Sequence, residues 1–90
     1  MSLNAYRDEA GSFLKAIHAL DEPLETKISM LQQELDILRN TQPEDGQAIG
    51  HQVYDLLFLL MEIASQRSVD LDAEWASGWA RKAKKYLSRD

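Results

Sequence analysis

Residues 47–67 read QAIGHQVYDLLFLLMEIASQR, and this stretch decides the fold. Ile49, Val53, Leu56, Leu57, Leu60, Ile63 and Ala64 recur at three- and four-residue spacing, the period of a helix rather than of a strand. Phe58, Leu59 and Met61 add apolar surface away from that face. A helix that is apolar on more than one side must be covered on more than one side. Its strongly apolar run, Leu56 to Met61, lies between Asp55 and Glu62 and is far shorter than the roughly 20 residues that span a bilayer. The segment therefore reads as the central helix of a helical domain.

Upstream of it, Thr41-Gln42-Pro43-Glu44-Asp45-Gly46 is dense in turn-forming residues and ends a preceding helix near Asn40. That helix carries the cleanest stripe in the chain: Leu24, Ile28, Leu31, Leu35 and Leu38. A connection this short makes the two helices antiparallel neighbours. Asp21-Glu22-Pro23 marks a helix restart, since acidic residues suit a helix N-terminus and proline is tolerated in the first turn. Before it, Tyr6, Ala10, Phe13, Leu14, Ile17 and Leu20 predict an amphipathic helix over roughly residues 4–20. Gly11 weakens that helix by about 1 kcal/mol relative to alanine, so it depends on tertiary contacts. Downstream, Asp70 or Asp72 can cap a fourth helix with a stripe of Leu71, Trp75, Trp79 and Tyr86. Strand-like alternation, low-complexity tracts and internal repeats are absent from the pattern. The expected fold is all-α, a four-helix bundle with short connections.

Ninety residues make one domain, 1–90, near the lower limit for a chain that encloses its own core. Homodimerisation or a higher homo-oligomer is the expected remedy, and the all-round apolar central helix points the same way. Apolar residues at 44% and charged residues at 28% describe a globular chain. A net charge of −5 argues against general nucleic-acid binding. Without cysteine, disulfides and thiolate metal sites are excluded. No basic segment followed by an apolar one opens the chain, so neither a signal peptide nor a membrane segment is expected, and the expected location is cytoplasmic.

Three short motifs, taken in order, carry a family resemblance: Asp55-Leu56-Leu57-Phe58-Leu59-Leu60, then Val69-Asp70-Leu71-Asp72, then the span from Lys82 to Tyr86. Over roughly residues 22–88 the chain resembles the MazG-like family of nucleotide pyrophosphohydrolases, to which the phosphoribosyl-ATP pyrophosphohydrolases are related. In that family an ExxD motif opens a strongly apolar helix, and an ExxE motif lies on the helix before it. The resemblance implies an Mg²⁺-dependent reaction that releases pyrophosphate from a nucleoside triphosphate or related nucleotide. Residues three apart share a helix face, so each motif aims a pair of carboxylates at one point, where Mg²⁺ can be held.

Carried over position by position, the implied ligand set falls on Leu31 and Glu34 of the second helix and on Gln52 and Asp55 of the third. Glu34 and Asp55 keep the carboxylates, Gln52 is a weak neutral substitute, and Leu31 cannot ligate a metal. Two carboxylates plus substrate phosphates still suffice for a single Mg²⁺, but not for the paired ions the full set implies. The family's basic last helix implies phosphate contacts at Lys82 and Lys85, with Gly78 standing at a third such position. Two functions follow: a pyrophosphohydrolase-type domain with a partly degenerate metal site, or a catalytically inactive member retained as a nucleotide-binding or protein-interaction module.

Plainer readings stand beside these. Glu22 and Glu25 form a spare ExxE interrupted by Pro23, and His51 can serve as substitute ligand or base, but reads more simply as an exposed or core-edge histidine. Glu62 and Glu74 read as solvated or helix-end charges. Arg81 and Lys84 are explained by the preference of cations for a helix C-terminus. Trp75 and Trp79 fit a core or an interface better than a nucleobase stack.

Overall fold

The computed structural model describes residues 2–87; Met1 and residues 88–90, which belong to the single domain expected above, lie outside the described residues. Its elements are α1 (Leu3–Ala16), α2 (Leu24–Arg39), α3 (Gly46–Gln66) and α4 (Leu71–Lys82), followed by a π-helical turn over Ala83–Leu87. No strand occurs among the described residues, so the all-α expectation holds. None of these helices is long and apolar enough to cross a membrane.

Helix boundaries follow local chemistry. Ser2, Asp45 and Asp70 each accept a hydrogen bond from the backbone N–H three residues on, capping α1, α3 and α4. Pro23 precedes α2 without a side-chain cap. The first helix ends at Ala16, four residues earlier than its apolar stripe suggests. His18 enters the left-handed region with φ 57°, and the N–H of Ala19 returns to the carbonyl of Leu14 at 2.9 Å. Ser68 (φ 55°) closes α3 in the same way, with Val69 N–H donating to the Ala64 carbonyl at 2.9 Å. Both ends are Schellman closures built without the usual glycine.

Helix α3 is central, with α1 and α2 packed on it. Contacts of α2 and the residues just before it with α3 run in opposite senses along the two helices. Glu22 meets Gln66, Lys27 meets Glu62, and Glu34 meets Gln52, which makes the pair antiparallel as the short connection requires. On the other flank, α1 comes so close to α3 at Gly11 that a β-carbon there would collide with Ser65 Oγ. This close approach accounts for a glycine in mid-helix, at the point where helix propensity alone disfavours it.

The fourth helix stands apart. It meets the body through α1, where the two N-termini cap one another. Asp72 Oδ1 accepts from Leu3 N–H at 2.9 Å, Asn4 Oδ1 accepts from Leu71 N–H at 2.8 Å, and Asn4 Nδ2 donates to Asp70 Oδ1 at 3.0 Å. The Asn4 amide, the N–H of Ala73 and the nearby charge of Arg7 hold the Asp70 carboxyl below the usual carboxylate range. Beyond this joint α4 buries none of its residues, and the molecule is extended, 51 × 35 × 26 Å.

Little apolar surface is enclosed within one copy. Ala10, Leu14, Met61 and Ala64 are the buried apolar residues among those described. Leu24, Ile28 and Leu35 of the α2 stripe, and Val53, Leu57 and Leu60 of the α3 face, remain exposed. The face that α2 turns to α3 is instead displaced by about one residue: it carries Lys27, Met30, Leu31, Glu34 and Leu38, which are buried or half-buried.

Candidate functional site

Lys27 and Glu62 occupy the interface between α2 and α3 and are 2% and 4% exposed. The Lys27 ammonium lies 2.7 Å from Glu62 Oε1 and 2.7 Å from Glu22 Oε1. Burial pulls the lysine pKa down, but the hydrogen bonds and charges of Glu22 and Glu62 outweigh it and hold the ammonium above its ordinary range. Glu62 is therefore not the solvated charge expected from its residue type. A carboxylate can be buried here because a buried cation faces it from the antiparallel helix. Glu22 is likewise engaged by Lys27 and is not part of a spare metal motif. Glu74 is exposed, as expected.

Nearly three turns before Glu62 on α3, Gln52 is only 5% exposed. Its side-chain amide donates to Glu34 Oε1 and, at 3.2 Å, to the Glu34 backbone carbonyl. Leu31, one turn before Glu34, is half-buried. Glu34 and Asp55 both line a cleft of about 750 Å³ between the three packed helices. Glu9 and Phe13 close it from α1, Met30 from α2, and Tyr54 and Phe58 from α3. Its aromatic wall is ordered: Phe13 and Phe58 meet edge to face with centroids 5.4 Å apart, and Tyr54 lies 5.8 Å from Phe58. Outside the cleft's edge, His51 is exposed, with Nε2 3.6 Å from Asp55 Oδ2.

The donor set can be tested directly against a divalent cation. Glu34 and Asp55 offer carboxylates to one cleft, but Gln52 presents its N–H to Glu34. No group of three or more His, Asp or Glu residues is placed to hold a metal ion among the described residues. The residues present therefore do not fit a resident pair of ions. They fit at most one Mg²⁺ that arrives with phosphate oxygens completing its shell, the usual way this ion is held.

Lys82 and Lys85 do not join this cleft within one copy. They line a separate shallow groove of about 350 Å³ with Gly78, Arg81 and Tyr86. Lys85 Nζ sits 5.2 Å from the centre of the Tyr86 ring, and Arg81 donates to Ser77 Oγ at 2.8 Å. Trp75 and Trp79 are 68% and 59% exposed, so neither is a core residue of the single chain.

Sequence reasoning thus brought Glu34, Gln52 and Asp55 to one helix pair, and missed Glu9, Lys27 and the aromatic wall. Tyr54 and Phe58 carried a signal, being four residues apart on the helix of the expected ExxD motif. Glu9 carried none, because its place depends on how α1 crosses α3. Comparison of the chain with protein-family models, with curated proteins and with solved structures gives no match.

Proposed function

We propose that this chain is a MazG-like helical domain that works as a nucleotide-binding module, with pyrophosphohydrolase activity weak or lost. The observation that carries the reading is the pairing of Glu34 with Gln52 across α2 and α3, where Glu34 also shares an aromatic-walled cleft with Asp55. These are three of the four positions at which the resemblance implies metal ligands. The same pairing argues against full activity. A glutamine whose amide is spent on Glu34 contributes no charge to a cation, and Leu31 contributes no ligand.

The cleft's own carboxylates repel a bare polyphosphate. A nucleotide would enter as its Mg²⁺ complex, in which the ion neutralises the phosphates while Glu34 and Asp55 hold it. Tyr54, Phe58 and Phe13 supply apolar and aromatic surface on which a base can rest. Pairing of two copies belongs to this proposal, supported by the exposed faces of α2 and α3.

Calorimetric titration with a panel of non-hydrolysable nucleoside triphosphates, with and without Mg²⁺, tests the reading, followed by a pyrophosphate-release assay on any binder. Mg²⁺-dependent binding with little or no turnover is expected. Absence of binding across the panel would remove the nucleotide from the proposal and leave the protein-interaction module as the function.

A further inference from the structure

The tail of the molecule and the cleft in its body are opposites in charge and alike in apolarity. Over Leu71–Leu87 the chain presents Trp75, Trp79, Tyr86 and Leu87 to solvent, together with Arg81, Lys82, Lys84 and Lys85. None of these four cations forms an ion pair among the described residues. The cleft presents Phe13, Tyr54 and Phe58 with the carboxylates of Glu9, Glu34 and Asp55, while the charge of Glu62 is already met by Lys27. Among the described residues, Asp55 has only His51 opposite it, and Glu34 only a neutral amide.

Within one copy the two surfaces belong to separate grooves. The mutual capping of the α1 and α4 N-termini fixes where α4 leaves the body, and its contact with the body is through α1. A basic aromatic helix and an acidic aromatic cleft on one chain, with no use for each other in that chain, form a self-complementary pair across two chains. Two copies related by a twofold axis make the contact twice, as an isologous interface does.

We infer that α4 and its π-helical end from one copy dock in the Glu9–Glu34–Asp55 cleft of a second copy, and reciprocally. The aromatic side chains of the tail meet the aromatic wall of the cleft, and the tail's cations meet its carboxylates. Docking also brings Lys82 and Lys85 to the cleft that holds Glu34 and Asp55, with which they share no groove in one copy. The inference rests on the pairing of two copies proposed above, and not on nucleotide binding, with which a docked tail competes for Phe13, Tyr54, Phe58 and the carboxylates of Glu34 and Asp55.

The test uses two double variants that avoid Glu34, Asp55, Lys82 and Lys85. One reverses the tail, Arg81→Glu with Lys84→Glu; the other makes the cleft basic, Glu9→Lys with Gln33→Lys. All four residues are exposed, and far-UV circular dichroism checks that each variant folds. Sedimentation velocity without nucleotide should give the unaltered chain a mass twice its 10.3 kDa. Each variant alone should lose dimer affinity by at least roughly tenfold, the loss growing at low salt. An equimolar mixture of the two should dimerise again, because both reciprocal contacts then join opposite charges.

A monomeric parent chain would overturn pairing and this inference together. A dimer kept by both variants would leave pairing in place and overturn the docking. Loss in one or both variants without recovery in the mixture would also overturn it, because the altered residues would then touch something other than each other.

Discussion

The ammonium of Lys27 lies 2.7 Å from Glu62 Oε1, and both groups are closed off from solvent between antiparallel helices. Removing one partner strands the other charge in the interior. Lys27→Met should therefore destabilise the fold by about 3–5 kcal/mol, and Lys27→Met with Glu62→Leu should recover most of that loss. Urea unfolding of the three chains measures it. A single variant as stable as the parent would mean that Glu62 finds water or another donor. The pH dependence carries the opposite sign from that of a paired carboxylate's acid limb. Because the folded lysine pKa is raised, its contribution is complete below the unfolded value and is lost as pH rises through the folded one. As pH rises above the ordinary lysine value of about 10.4, the parent should lose stability more steeply than the double variant.

Gly11 yields a second expectation, contrary to helix propensity. Alanine is the better helix former by about 1 kcal/mol, yet a β-carbon at this position meets Ser65 Oγ and crowds Ser65 Cβ at 3.3 Å. Gly11→Ala should lower stability by about 1–3 kcal/mol, the usual cost of overpacking. Adding Ser65→Ala removes the nearest atom and should return part of the loss. Thermal unfolding of the pair decides it, and a more stable Gly11→Ala chain would show that α1 can move away from α3 at little cost.

The positions of the helices were legible in the sequence, but which face meets which was legible only in part. Periodicity located all four helices, and of the two caps offered for the last, Asp70 or Asp72, Asp70 is the one that accepts from that helix's N-terminus. The end of α1 was misplaced because Ile17 and Leu20 extend the apolar stripe past a left-handed turn at His18, where no glycine stands to mark it. On α2 only Leu31 and Leu38 of the cleanest stripe turn to α3, while Leu24, Ile28 and Leu35 stay exposed. Apolar spacing marks a face that must meet something, without saying whether the partner is in the same chain. The α3-facing side holds Lys27 and Glu34, which composition alone assigns to solvent. At the candidate site, Glu34, Gln52 and Asp55 were grouped by the family resemblance, and the short turn made the two helices that carry them antiparallel neighbours. The aromatic wall needed α1, whose crossing over α3 depends on the Gly11 approach.

Left-handed residues suggest a third expectation, this time of gain. His18 and Ser68 hold φ values of 57° and 55° at the ends of α1 and α3, where an L-side chain costs about 1 kcal/mol or more. The conformation persists because the returning N–H of the next residue closes each helix. His18→Gly and Ser68→Gly should each raise stability by about 0.5–1 kcal/mol, and together nearly additively, as separate helix ends. A loss in either chain would mean that its side chain makes a contact worth more than the strain.

Gln52→Glu provides the most direct test of how the candidate site departed from a full carboxylate set. The parent side chain is buried and donates its amide to Glu34. Substitution replaces that donor with a second carboxylate beside the first, in a place closed to water. Without divalent cation, the variant should be less stable by about 1–3 kcal/mol, the cost of leaving such a group unsatisfied. Mg²⁺ should then raise its unfolding midpoint more than it raises the parent's, since an ion bound to the folded state alone stabilises it by mass action. Restored carboxylates at Gln52, with Glu34 and Asp55, would also strengthen Mg²⁺-nucleotide binding and raise any pyrophosphate release. Equal Mg²⁺ responses in the two chains would show that the Glu34–Gln52 contact is a structural hydrogen bond alone, and that the cleft never gathers a cation at this point.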